Sequence, residues 1–290
     1  MESKRIVITG ASRGFGSLTA KTLIERGHKV VATMREPEGR NKERAEELQS
    51  WAAEKSGELQ IVELDVTSDE SVSKAIAQIE ADGGIDVLVN NAGVMPMGLT
   101  EGFSIDQMRE TFEVNLYGVA RVTRAVLPKM RANKQGLLVH ISSAGGRVVM
   151  PLFGVYCATK FALEAWCESI HHEVESFGVE SVIVEPSAFK TDIAYDPPAP
   201  SDAERVASYG PLAGGRERLL GMFHGGFEQH PEGADAQHVA DAIAGVIDGP
   251  SPRPLRTAVG QDMGQSAINE MTAPVQAQFV ANLRPVYSGG

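Results

Sequence analysis

The sequence predicts an α/β protein built on a doubly wound, seven-stranded parallel sheet with helices on both faces. Three observations predict it. Short apolar runs such as Ile6-Val7-Ile8, Val30-Val31 and Val182-Ile183-Val184 recur along the chain, as expected of strands buried on both faces. Stretches of helical periodicity separate them. Strand-helix alternation of this kind implies parallel pairing through right-handed crossovers.

Taken in order, the first strand covers 4–9 and runs into Gly10, Gly14 and Gly16, followed by a helical pattern over 15–26. Further strands are expected at 28–33, 59–64, 86–90, 136–142, 179–185 and 255–259, with helices near 40–55, 69–82, 105–132, 155–177 and 235–248. The segment 187–230 breaks the alternation with Pro197-Pro198, Pro200, Gly214-Gly215 and Gly225-Gly226. Long irregular segments of this kind are often lids, and Phe189, Tyr195, Leu219, Leu220, Met222, Phe223 and Phe227 give it apolar residues to pack with. The tail 261–290 carries a weak helical pattern through Ile268, Met271 and Val275 that packs on the core, covers the pocket or contacts another subunit. The whole of 1–290 reads as one domain, long enough to bury a large core.

The net charge of −11 argues against nucleic acid or an anionic membrane as partner. No apolar run approaches the roughly 18 residues of a membrane span. The N-terminus enters a strand directly, which leaves no room for a signal peptide. Cys157 and Cys167, if they share a helix, stand about 15 Å apart, beyond the ~7 Å reach of a disulfide. Reduced thiols and a cytoplasmic address are expected. No Cys/His cluster has metal-ligand spacing.

The chemistry concentrates around Tyr156-Cys157-Ala158-Thr159-Lys160. Residues four apart share a helix face, so Tyr156 and Lys160 point the same way. A phenol of ordinary pKa about 10 is a poor acid-base group at neutral pH, and a neighbouring ammonium favours its phenolate. The pair suits moving a proton on and off an alcohol. Such a pair alone is often a wet helix face; a strand-glycine-helix loop upstream and a serine thirteen residues before the tyrosine raise it above that reading. Glycines at 10, 14 and 16 let the backbone approach a pyrophosphate at a helix N-terminus. Their G-x-x-x-G-x-G spacing differs from the usual G-x-G-x-x-G.

These residues resemble the short-chain dehydrogenase/reductase family over roughly residues 4–260. Its glycine motif is matched by Thr9-Gly10-Ala11-Ser12-Arg13-Gly14-Phe15-Gly16, and its Asn-Asn-Ala-Gly motif by Asn90-Asn91-Ala92-Gly93. Its helix asparagine is matched by Asn115 and its catalytic serine by Ser143, with Ser142 as the competing choice. The resemblance implies a Rossmann fold and a catalytic set of Asn115, Ser143, Tyr156 and Lys160. Lys160 would hold the nicotinamide ribose, and Asn115 a relay water. It implies cofactor contacts from Gly10, Ser12, Arg13, Gly14, Phe15, Gly16, Arg35, Asp65, Val66, Asn91, Ala92, Gly93, Tyr156, Lys160, Pro186 and Thr191, with Asp65 beside the adenine. A helix-capping aspartate is the other reading of Asp65, with Asp69 as a rival for that role. Where the family usually has Pro-Gly, this chain has Pro186-Ser187. A homodimer or homotetramer paired through helices 105–132 and 155–177 is also implied.

The second strand leads into Thr33-Met34-Arg35, with no carboxylate for a ribose 2′-hydroxyl. Arg35, assisted by Arg13, suits a 2′-phosphate, so NADP(H) is the expected cofactor and NAD the alternative. Val148 to Phe153, Val94-Met95-Pro96-Met97, and the lid's Phe223 and Phe227 predict an apolar cleft. The run Val31 to Arg35, with Val155 to Glu164, looks like the estradiol 17-beta-dehydrogenase and retinol dehydrogenase branch. A lipophilic secondary alcohol and its ketone, hydroxysteroid-like, are therefore the expected substrates. Arg205, Arg216 and Arg218 in the lid keep a smaller or acidic carbonyl as the alternative. A non-catalytic NADP-binding sensor is the reading from another class, and it would have no use for Ser143, Tyr156 and Lys160 together.

Overall fold

The structure, a computed structural model, describes residues 2–287. Seven strands form one sheet in the order β3-β2-β1-β4-β5-β6-β7: β1 Arg5–Ile8, β2 Lys29–Met34, β3 Glu58–Glu63, β4 Val87–Asn90, β5 Gly136–Ile141, β6 Val179–Pro186 and β7 Arg256–Val259. Every pairing is parallel. Each strand predicted from the sequence is present, with ends shifted by a residue or so.

Both sheet faces are dry, which is why the strands read as apolar runs. Ile6, Ile8, Val87, Val89, Val139 and Val182 pack on one side with α1 (Gly14–Glu25), α2 (Lys42–Ala52) and α10 (Gln237–Asp248). Val7, Leu88 and Leu138 pack on the other with α3 (Asp69–Ala81) and α5 (Val119–Asn133). Neighbouring residues on a strand go to opposite faces because the side-chain period is two. α6 (Gly154–Val174) covers the second face through Leu163 and Cys167 against Ile183.

Helix caps explain several boundaries. Ser68 accepts from the Ser71 amide at 3.2 Å and caps α3. That role falls neither to Asp65 nor to Asp69, which occupies the first helical turn, where its charge suits the dipole. Ser104 and Gln107 form a reciprocal capping box on α4 (Ile105–Phe112).

The helix expected over 105–132 is interrupted. α4 passes into a π-helical stretch, Glu113–Gly118, before α5 begins. π-turns are rare and often mark functional sites, and this one carries Asn115. The lid is also more ordered than its composition suggests. It holds α7 (Asp192–Tyr195), α8 (Ala203–Ala207) and the 15-residue α9 (Gly215–Gln229). The tail forms α11, Gln265–Tyr287. The last residues of the tail segment, 288–290, lie outside the described residues.

β1 lies between β2 and β4, so the chain winds outward in both directions from it. The crevice beyond the carboxyl ends of β1 and β4 is where sheets of this type bind ligands.

Candidate active site

The loop after β1 is shaped by close backbone approach. Gly10 has φ +65°, and a Cβ there would meet the Ala92 Cα at 2.9 Å. A Cβ on Gly16 would strike the Asn91 amide and the Gly10 carbonyl, each at 2.5 Å. Asn91 donates to the carbonyls of Thr9 (2.8 Å) and Gly10 (3.1 Å). Thr9 Oγ1 accepts from the amides of Asn91 (3.0 Å) and Ala92 (3.1 Å). The two loops predicted to face a dinucleotide are thus bolted together. Asn90 is buried and bonds Thr123 and His140 instead; burial pushes the His140 imidazole down to about 3.

Arg35 follows β2 and is exposed, and Arg13 caps α1 from an extended backbone. Asp65 accepts from the Thr67 amide (2.9 Å) and hydroxyl (2.8 Å). Burial works to raise its carboxyl, but the Thr67 bonds and the charges of Arg35 and Arg40 outweigh that and hold it low. Val66 is buried beside Gly118, where a Cβ would lie 2.8 Å from its Cγ2.

Tyr156 and Lys160 lie in the first two turns of α6 and are both buried. The Ser143 hydroxyl accepts from the Gly145 amide at 3.0 Å and hydrogen-bonds the Tyr156 phenol. Ser142 sits instead beside Glu164. Of the two serines, Ser143 is the one beside Tyr156. Burial pushes the phenol up to about 12, with the Ser143 bond pulling the other way. Burial likewise pushes the Lys160 ammonium down to about 8, opposed by the nearby Glu164 carboxylate. Lys160 donates to the Ile141 carbonyl at 2.8 Å. The expected lowering of the phenol by the ammonium is not what dominates here; desolvation is.

Asn115 bonds both backbone groups of Val94, accepting from N–H and donating to C=O at 2.8 Å each, and donates to Thr159 at 3.0 Å. A Cβ on Gly93 would lie 3.3 Å from its Oδ1 and 4.0 Å from Lys160 Nζ, so Gly93, Asn115 and Lys160 meet at one point. Its side chain is spent on protein partners, the bonding expected of a structural residue, at the place expected of a catalytic one.

The lid closes over this corner. Pro186 ends β6, and the Ser187 amide donates to the Val259 carbonyl at 3.0 Å. Phe189 meets Phe15 edge-on at 5.9 Å between ring centres. Thr191 lies over Gly14, and Asp192 pairs with Arg13 at 3.6 Å and Arg44 at 3.3 Å. Arg44 gave no sequence signal, being one arginine in a charged helix. Around the phenol, Met97, Phe153, Tyr156 and Cys157 form a buried cluster with Met95, Met150, Leu219, Leu220 and Phe223 against it. Phe227 stacks on Phe223 behind this wall. Val149 points to solvent and is no part of it.

A glycine loop at the β1/β4 crevice, facing a serine-tyrosine-lysine cluster, defines the class: an oxidoreductase that works with a nicotinamide cofactor. The short chain dehydrogenase family model matches residues 4–199, and the chain belongs to that family. It is 32% identical over 265 residues to 3-ketodihydrosphingosine reductase of Bacteroides thetaiotaomicron, covering 90% of this chain and 89% of that protein. It is 37% identical over 197 residues to 17-beta-hydroxysteroid dehydrogenase type 6 of Mus musculus, covering 67% of this chain and 59% of the relative. An alcohol dehydrogenase from the archaeon Thermococcus sibiricus, solved with 5-hydroxy-NADP, superposes with a TM-score of 0.70 at 25% identity, over 89% of this chain and 97% of that one. No helix among the described residues is long and apolar enough to cross a membrane.

Proposed function

We propose that the protein interconverts a lipophilic secondary alcohol of hydroxysteroid size and its ketone, using NADP(H). The observation that carries the substrate reading is an apolar wall: methionine, leucine and phenylalanine side chains from three chain segments pack with Tyr156. Such walls suit bulky apolar ligands with few polar anchors.

The acidic-substrate alternative loses its anchors. Arg205 pairs with Glu101 at 2.8 Å and Asp202 at 3.0 Å. Arg216 donates to the carbonyls of Met97 (3.1 Å) and Pro197 (2.7 Å), and Arg218 to that of Pro211 (2.9 Å). The sensor alternative has no need of a serine, tyrosine and lysine brought together beneath a lid.

The residues fit the cofactor. The loop over Gly14 is open, with only Thr191 carbons at 3.8 Å from an added Cβ. Arg13 and Arg35 flank the end of β2 and would meet a 2′-phosphate. Asp65 would lie beside the adenine. Gly10, Ser12, Phe15, Val66, Asn91, Ala92, Gly93, Pro186 and Thr191 would line the remainder, and Lys160 would hold the nicotinamide ribose. When bound there, NADP(H) would supply the hydride for reduction and accept it in oxidation.

The chain's own residues manage the proton. In reduction Tyr156 gives its phenol proton to the carbonyl oxygen, and in oxidation the phenolate takes it from the alcohol. Ser143 donates a hydrogen bond to that oxygen as charge builds on it. Lys160 would stabilise the phenolate left behind, and Asn115, its side chain already fixed on Val94 and Thr159, is left to hold a relay water through its backbone. The two thiols are free and buried.

The test is NADPH oxidation against ketones graded from small and polar to steroid-sized, with Tyr156→Phe as control. kcat/KM should rise with apolar bulk, and the variant should lose about 10²-fold or more in kcat while still binding NADP. Better turnover of a charged, sugar-sized ketone would overturn the substrate reading. Retention of more than about a tenth of kcat would overturn the role of Tyr156.

A further inference from the structure

α11 touches the rest of the molecule along one side only. Asn269 donates to Glu185 at 2.7 Å, Thr272 accepts from Arg147 at 2.7 Å, and Arg284 pairs with Glu175 at 2.7 Å. Beyond these contacts Met271, Val275, Phe279 and Val286 are exposed by 73, 70, 59 and 80%, with Phe279 two turns past Thr272 on the same face. Four large apolar residues at spacings of four, four and seven form a stripe of the kind a helix buries. From 271 to 283 the helix carries no charged residue, in a chain of net charge −11.

The stripe is shaped as well as apolar. Val275, Gln278, Phe279 and Asn282, with Pro274 beside them, line a shallow groove. Those four are spaced i, i+3, i+4, i+7, which is the four-residue hole that accepts a knob in paired helices. Phe279, Asn282, Leu283 and Val286 repeat the spacing one turn on.

We propose that this stripe pairs with the same stripe on a second copy of the chain, antiparallel, about a two-fold axis level with residue 277. In that register Val275 lies opposite Phe279 and seats in the first hole. Met271 lies opposite Leu283 and seats in the second. Both holes and both knobs are used twice, once by each copy, as an isologous contact requires. An uncharged surface on an acidic protein also favours this occupant: two stripes meet without like-charge repulsion, whereas an anionic bilayer would repel the body. The contact is separate from the pairing through 105–132 and 155–177 that family resemblance implies, where the exposed large apolar residues Ile105, Tyr117, Phe161 and Phe177 are scattered.

The test is the assembly state of the full chain, with a geometric check. Sedimentation of the wild type at micromolar concentration should give a dimer or a multiple of one. Val275→Glu with Phe279→Glu should halve that mass while leaving the thermal melt and NADPH binding unchanged. Gln278→Cys and its own copy stand about 3 Å apart along the axis, and Met271→Cys about 18 Å. A short bis-maleimide should therefore link the first variant to itself and not the second. Linking both would show a parallel pair and overturn the register. A monomeric wild type, an unchanged mass in the double variant, or monomers that co-sediment with anionic phospholipid vesicles would overturn the pairing.

Discussion

Lys160 holds its ammonium 5.8 Å from the centre of the Tyr156 ring while donating to the Ile141 carbonyl at 2.8 Å. Both groups are buried, and burial opposes charge on either: the phenol rises to about 12 and the ammonium falls to about 8. With burial holding it up at about 12, the phenol keeps its proton through the neutral range, as the proposed reduction of a carbonyl would need.

A pH dependence follows. Alcohol oxidation requires the phenolate, so its kcat/KM should climb as pH rises through the neutral and alkaline range, while ketone reduction stays flat or falls. Below about pH 8, where Lys160 still carries its charge, the ammonium favours the phenolate, so Lys160→Met should lower oxidation kcat/KM most below that pH and least above it. Profiles of both directions at saturating cofactor check this. A uniform loss across the range would show that the charge of Lys160 does not act on the phenol.

Cofactor choice is expected to rest on Arg13 and Arg35. Arg35 is exposed past the end of β2, and Arg13 makes a surface ion pair with Asp192 at 3.6 Å; such pairs are worth little, so Arg13 can turn to a phosphate. Hydrogen bonds to charged groups are worth about 1.5–3 kcal/mol. Arg35→Asp should therefore shift the NADPH/NADH ratio of kcat/KM toward NADH by roughly tenfold or more. If the double change of Arg13 and Arg35 leaves that ratio untouched, the preference has another source.

Behind the site lies a buried ionic cluster with its own pH signature. Arg256 meets Glu164 at 2.9 Å, Glu168 at 2.6 Å and Glu185 at 3.4 Å. Burial, with the Glu164 charge second, pushes the Glu185 carboxyl up to about 7. The folded state then binds a proton that the unfolded chain, with an ordinary carboxyl, has released between pH ~4.5 and ~7. Stability from this group is present below that window and lost as pH rises through it. Glu185→Gln should flatten the fall, so that the variant gains on the wild type from pH 5 to 8 in urea titrations. A constant difference across that range would contradict the assignment.

Much of this was legible in the sequence because the sheet is buried on both faces, so strands such as Val182-Ile183-Val184 have no polar alternation to confuse with loop. The site residues were legible where spacing is set by backbone geometry: Gly10 and Gly16 by the approach to Ala92 and Asn91, Tyr156 and Lys160 by the helical turn. What stayed hidden depends on three-dimensional partners. The π-turn at Glu113–Gly118 has no residue signature, because it arises where Asn115 reaches for Val94. α9 was masked by Gly221, Gly225 and Gly226, each costing about 1 kcal/mol against alanine in a helix. The sign of the Tyr156 shift was unreadable since desolvation is a property of the packed site. The lid arginines looked like substrate anchors until their carbonyl and carboxylate partners were in view.

The bond from the Ser187 amide to the Val259 carbonyl has a consequence in time as well as in space. The lid's first residue is pinned by a strand that leaves the ribosome more than sixty positions after the lid begins. At about 5–20 residues per second, a nascent chain that already holds Ser143, Tyr156 and Lys160 waits several seconds for the edge strand that orders the segment above them. During that interval the apolar wall of the cleft is uncovered. Chains stalled before Arg256 should be cut by protease within 187–230, where released full-length chains resist. The last edge of the sheet therefore sets when newly made enzyme becomes competent, and gives folding helpers their window.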